Sequence, residues 1–354
     1  MAGARTLAQA YRRFAEVDAA GTSPLYERVA LALSGSDEAL RAVAALPARR
    51  RSPAVVLAAL HDLALVGRAP ALAAAYAAGD ADAAAGAAVD TLLRVTDAVA
   101  DVAARRPVRA DETGHGAVLY PLVAEAAHRV GAAAVGLVDV DCGAGFDLSV
   151  DRVGVAYGDG RTLGDPSSPL RTACRVVGDR PVPARAVPEV VARIGVDRDP
   201  VDVTDPDDAR WLRACLPPDR PERTALLEAE IALAATAPPL LLRGDAVEVL
   251  PDALARVPAD ALPVVTTTWA LSRLPLDARL RFLQRLGEAA AGRTVAWVSA
   301  EGVGVAPAVP TFGDRRASGH SVLGVAVFDG STVHVEAVGR CWSRGRILAW
   351  LAGS

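Results

Sequence analysis

The feature that most constrains this chain is an alternation of strand-length apolar runs with amphipathic helices, closed by a hairpin. Ala134–Val140, Val190–Val196, Leu240–Leu242, Leu262–Thr266 and Thr294–Ser299 read as strands. Pro206–Cys215, Pro221–Thr236, Ala246–Arg256 and Leu276–Ala290 read as the helices between them, with Asp205 able to cap the first. Ser321–Phe328 and Thr332–Val338 flank Asp329-Gly330-Ser331, a hairpin signal. Two shorter runs, Val153–Tyr157 and Ala173–Val177, flank a Gly/Asp/Ser/Pro segment and predict a hairpin insertion near residues 152–178. The pattern predicts an α/β fold in which a mainly parallel sheet carries helices on both faces, rather than a closed barrel.

Ahead of this region the chain reads as helices alone, from residue 5 to about 105. A chain of 354 residues is long for one core, so we expect a helical domain over 1–106 and an α/β domain over 107–354. His61 sits on a helix beside Leu60, where a packed histidine and a ligand contact are both open readings. A net charge of -4 gives no general electrostatic footprint for nucleic acid or an anionic membrane. The four cysteines, at 142, 174, 215 and 341, are too dispersed for a zinc site or a disulfide framework. Free thiols and a cytoplasmic setting are therefore expected. No apolar run has the length of a membrane span.

In an open parallel sheet, ligands bind beyond the carboxyl ends of the strands. The first strand runs through Asp139 into Asp141-Cys142-Gly143-Ala144-Gly145, a turn in which glycine allows a ligand to approach the backbone. Asp197, Gly244-Asp245, Thr266–Trp269 and Ser299–Glu301 follow the other strands. A carboxylate at Asp197 presents two acceptor oxygens to a ribose diol, and Asp245 can accept from an exocyclic amine. Each of these aspartates is equally a turn or N-cap residue when taken singly.

These residues carry a resemblance. Asp139–Gly145 resembles the first motif of S-adenosylmethionine-dependent methyltransferases, Asp197 their ribose-binding acid, and Gly244-Asp245 their adenine-side motif. The final hairpin resembles their sixth and seventh strands. Nearly the whole chain is similar to a largely actinobacterial family of uncharacterised proteins, the domain of unknown function 2332. Ser23–Arg28, Gly195–Val203, Trp211–Ala214, Pro217-Pro218-Asp219 and Arg243-Gly244-Asp245 carry that closer likeness. The resemblance implies a Rossmann-like, class I methyltransferase-type three-layer sandwich with a mainly parallel seven-stranded sheet. It further implies S-adenosylmethionine as cofactor, held by Asp139, Asp141, Gly143, Gly145, Asp197, Asp245 and Thr266. A small-molecule substrate is expected, and neither metal, nucleic acid nor membrane.

The chain departs from the methyltransferase motif at Asp141, where glycine is usual. That carboxylate either faces the ligand, and repels an anionic group unless a cation intervenes, or turns away as a cap. For proton removal the candidates are Glu112, His115 and Glu301, with Glu112 entering from the domain seam. Trp269 is placed to pack on a substrate or cofactor, or to hold a helix to the sheet. There is no nucleophile-elbow serine and no phosphate-loop lysine. The alternative function is a catalytically inactive module of the same fold that binds a metabolite or a protein partner.

Overall fold

A computed structural model describes residues 2–105, 107–108 and 114–353. The chain forms two compact units, Met1–Asp111 with Thr204–Glu228, and Glu112–Val203 with Ala229–Ser354.

The first unit is helical. It contains α1 (Ala2–Arg13), α2 (Pro24–Gly35), α3 (Asp37–Ala45), α4 (Pro53–Leu65), α5 (Pro70–Ala78), α6 (Ala81–Arg94) and α7 (Thr96–Arg105). Short polar residues set its boundaries. The Ser23, Ser36 and Asp80 side chains accept from backbone amides in the first turns of α2, α3 and α6, and Gly79 ends α5 in the left-handed conformation. The core collects Leu25, Val29 and Leu33 of α2 with Val56, Leu57 and Leu60 of α4. His61 is 7% exposed, and burial lowers its pKa. Its Nδ1 lies 3.0 Å from the carbonyl oxygen of Leu216, so the packed reading is the one realised. Two anchors hold the 204–228 segment in this unit. The Trp211 indole N–H donates to the Pro107 carbonyl, and the Asp219 carboxylate accepts from the Ser23 hydroxyl and the Leu25 amide.

The second unit is built on a sheet. Its elements are α8 (Gly116–Val130), β1 (Ala134–Val140), β2 (Gly154–Tyr157), β3 (Thr162–Gly164), β4 (Arg171–Val176) and β5 (Glu189–Asp197). After α9 (Pro206–Ala214) and α10 (Pro221–Thr236) come β6 (Leu240–Arg243), α11 (Ala246–Ala255), β7 (Leu262–Thr268) and α12 (Leu276–Ala289). The chain ends with β8 (Val295–Gly302), β9 (Ser321–Asp329), β10 (Thr332–Trp342) and β11 (Ile347–Trp350).

The strand order is β3-β2-β4-β11-β10-β9-β8-β7-β1-β5-β6. This corrects the expectation of a mainly parallel seven-stranded sheet: eleven strands pair in mixed orientation. The parallel block is β6-β5-β1-β7-β8, with β1 between β5 and β7. β9, β10 and β11 then alternate in direction. The insertion is not a free hairpin either. Its β2 and β3 are antiparallel, but β4 runs parallel to β2 and also pairs with β11. The terminal strand thus stitches the insertion into the main sheet.

Side chains alternate along these strands. Val138, Val140, Ile194, Val265 and Trp297 share a core with Val247, Leu250 and Leu254 of α11 and Phe282 and Leu286 of α12. Leu137, Asp139, Val264 and Thr266 take the opposite phase, and α8 packs across β7, β8 and β9. Among the described residues no single helix is long and apolar enough to cross a membrane.

Candidate functional site

The parallel block reverses its order at β1: the chain proceeds outward to β5 and β6 on one side, then returns to lay down β7 and β8 on the other. Such a reversal opens a crevice at the carboxyl ends of the strands. A cavity of about 170 Å³ lies there, lined by Val140, Asp141, Val196, Asp197, Arg198, Gly244, Ala246, Ala270, Arg273 and Leu274.

The glycine turn contributes Asp141 to this lining. Asp141, Gly143 and Gly145 have φ of 62°, 56° and 73°, so the turn passes three times through a conformation that glycine, and less often aspartate, adopts. The amides of Asp141 and Cys142 both donate to the Val196 carbonyl, at 2.8 and 3.2 Å. The Asp197 carboxylate fastens the turn from β5. Its Oδ2 accepts the Gly143 amide at 2.8 Å and its Oδ1 the Asp199 amide at 2.7 Å. Sequence reasoning missed Gly195, directly beneath. A Cβ there would lie 2.5 Å from Cys142 Sγ and 2.9 Å from Leu241 Cδ2, so only glycine lets the turn settle onto β5.

Asp141 lines the cavity and pairs with Arg273, whose Nη1 is 2.6 Å from its Oδ2. A cation is therefore in place beside the carboxylate that departs from the motif. Arg273 comes from the turn after β7 and is 58% exposed. No local sequence signal marked it, because its role depends on a partner that follows another strand.

The remaining candidates divide. Asp139 is 3% exposed and accepts a hydrogen bond of 2.6 Å from the Thr266 hydroxyl, its neighbour across β1 and β7. These two meet each other rather than line the cavity. Gly145 packs beside Pro239 and Leu148. Asp245 caps α11 through the Val247 amide and meets Arg198 at 2.5 Å, and the hydrogen bond from Arg198 holds its pKa below the usual range. Glu112 lies outside the described residues.

Glu301 is 1% exposed, and burial raises its pKa to about 8 against the opposing pull of the Leu271, Ala270 and Ser272 amides. Its Oε1 accepts the Leu271 amide at 2.9 Å. It thereby holds the turn that carries Arg273, and it does not line the cavity.

His115, just before α8, is 6% exposed. Its Nδ1 lies 3.0 Å from Asp147 Oδ2, and its Nε2 is buried with no hydrogen-bond partner among the described residues. The imidazole meets the Trp269 ring edge-on at 5.0 Å between centroids. Asp147 was not singled out from sequence, since a lone aspartate after a glycine turn reads as an ordinary capping residue. Among the described residues no three His, Cys, Asp or Glu side chains are grouped to hold a metal ion.

No curated protein and no solved structure matches the chain. The family model described as "Uncharacterized protein conserved in bacteria (DUF2332)" matches residues 8–350. Spanning nearly the whole chain, that match places the protein in the DUF2332 family.

Proposed function

We propose that this protein is an S-adenosylmethionine-dependent methyltransferase acting on a small molecule, with its cofactor in the cavity at the ends of β1, β5, β6 and β7. The observation that carries this reading is the Asp141–Arg273 pair beside Asp197. A carboxylate and a guanidinium in contact are complementary to an α-amino acid head, whose ammonium meets Asp141 and whose carboxylate meets Arg273. Asp197 lines the cavity beside this pair, and a carboxylate at that position can accept from ribose hydroxyls. Val140, Val196, Ala246, Ala270 and Leu274 give the cavity an apolar wall for a base. The order of the parallel block, third-second-first-fourth-fifth in chain sequence, is that of doubly wound nucleotide-binding sheets.

At about 170 Å³ the cavity is smaller than the roughly 300–1,000 Å³ of typical small-molecule sites. The bound cofactor would supply an electrophilic methyl group on a sulfonium. The chain's own contribution is to fix the amino acid head, orient the ribose and accept a proton where the substrate loses one. The small volume favours one second reading, a catalytically silent module that binds a compact amino acid-like metabolite.

Calorimetric titration separates the two. S-adenosylmethionine should bind one to one, and Arg273→Gln should weaken it by about tenfold to a hundredfold, the effect of losing a charge-assisted hydrogen bond. 5′-Methylthioadenosine, which lacks the amino acid head, should bind the parent and Arg273→Gln equally. Absence of S-adenosylmethionine binding, with free methionine bound instead, would select the second reading.

A further inference from the structure

The cavity leaves two neighbouring features without a role. The buried Nε2 of His115 has no hydrogen-bond partner among the described residues. Arg344 is exposed and makes no ion pair among them, yet its guanidinium carbon sits 5.7 Å over the Trp269 ring. We propose that His115, Trp269 and Arg344 form the subsite for the methyl-accepting substrate, a small carboxylate bearing a hydroxyl group. Arg344 holds the carboxylate, and His115 Nε2 accepts the hydroxyl proton. This inference rests on the cofactor reading of the adjoining cavity.

Hydrogen bonding fixes the imidazole's chemistry. The Asp147 carboxylate, 3.0 Å from Nδ1, can only accept, so a neutral His115 carries its proton on Nδ1 and offers a lone pair at Nε2. A buried acceptor without a donor is unfavourable, and a substrate hydroxyl relieves it. When the proton transfers, the O–H bond breaks with its electrons left on oxygen and an N–H bond forms at Nε2. The resulting imidazolium is stabilised by Asp147, which acts as a positioning residue.

Trp269 is rigidly held between the two polar groups. Its indole N–H donates to the Ser321 hydroxyl at 2.7 Å, and its backbone has φ of 56°. Ser343, Arg344 and Gly345 follow at 49°, 52° and 89°, three successive residues in the left-handed region. A Cβ on Gly345 would also come within 2.8 Å of Val118. Backbone of this kind persists only where the surroundings enforce it, and it concentrates at binding sites. Here both strained segments present the side chains that touch. Trp269 directly precedes Ala270 of the cavity wall, so subsite and cavity adjoin through one peptide bond.

The test is histidine and tryptophan side-chain NMR on the full chain, which has five histidines, with His115 assigned by its loss in His115→Gln. Neutral His115 should be the Nδ1–H tautomer, and Asp147→Ala, which removes the acceptor, should abolish that preference. The probe is 4-hydroxybenzoate, with 4-hydroxybenzyl alcohol as its uncharged analogue. The acid should shift the His115 and Trp269 resonances, and both the uncharged analogue and Arg344→Gln should weaken binding by about tenfold or more. An Nε2–H tautomer, no shift of His115 at saturating acid, or equal affinity in Arg344→Gln would overturn the subsite. S-adenosylmethionine is titrated into the same samples. If it fails to bind while the acid still shifts His115, the hydroxy-acid site stands but the cofactor reading and the methyl-acceptor role fall; if it binds while His115 stays unmoved, only the subsite falls.

Discussion

Replacing Glu301 by glutamine should change how stability depends on pH, and the sign follows from its burial. In the folded chain the carboxyl titrates at about 8, against an ordinary value of 4.5. Below about 4.5 both folded and unfolded chains are protonated, and the group has no pH-dependent effect. As pH rises from there to about 8 the unfolded chain releases a proton that the folded chain keeps, so stability falls; above about 8 both are ionised and the loss is complete. At about 1.4 kcal/mol per tenfold, the full difference corresponds to about 4–5 kcal/mol. Relaxation and water entry around a buried carboxyl reduce this, and we expect about 2–3 kcal/mol between pH 5 and pH 8. Glutamine keeps an acceptor for the Leu271 amide and cannot ionise. Urea unfolding of parent and Glu301→Gln at four pH values, following the transition of the sheet unit, measures the difference directly. The curves should nearly coincide at pH 5, with the variant more stable at pH 8. Parallel curves would show that Glu301 titrates near its ordinary value and that burial does not dominate the three amides.

Other perturbations report on the same region. Gly195→Ala should destabilise by about 1–3 kcal/mol through overpacking against Cys142, and Cys142→Ala in the same chain should recover much of it in thermal unfolding. Asp197→Ala removes the acceptor for the Gly143 and Asp199 amides and should cost about 2–4 kcal/mol; an unchanged denaturation midpoint would show that the turn stands without it. Burial raises the Cys174 thiol to about 11 and the Cys341 thiol to about 12. Both should resist a thiol reagent at pH 8 in the folded chain and react on unfolding, while the partly exposed Cys215 reacts first.

The parallel block was legible because each of its strands carries its own signal. β1, β5, β6, β7 and β8 are apolar runs bounded by turn residues, and Asp205 and Asp245 cap the helices that follow two of them. The width of the sheet was not legible. β3 has three residues and β11 four, too few for periodicity to register, and β4, beside β2, joins the main sheet by pairing with a strand some 170 positions later. The hairpin reading of 152–178 saw the two runs that became β2 and β4, but side-chain alternation alone does not distinguish a parallel pair from an antiparallel one.

The site shows the same division between what is local and what is assembled. A carboxylate at Asp141 posed a problem in the sequence, since it stands where an anionic group would approach the turn. The answer lies at Arg273, beyond β7, brought to it because β7 is the strand on the far side of the order reversal from β5. Asp197 was found correctly at a strand end, but its two amide bonds give it a structural duty that a ribose-binding role must share. Loss of ligand affinity in an Asp197 variant would therefore mix two effects. Arg273 is exposed, and among the described residues its only ion pair is with Asp141. Removing it disturbs the ligand's polar partner and leaves the glycine turn's own bonds intact, which makes Arg273→Gln, rather than Asp197→Ala, the cleaner probe of whether this crevice holds an amino acid head.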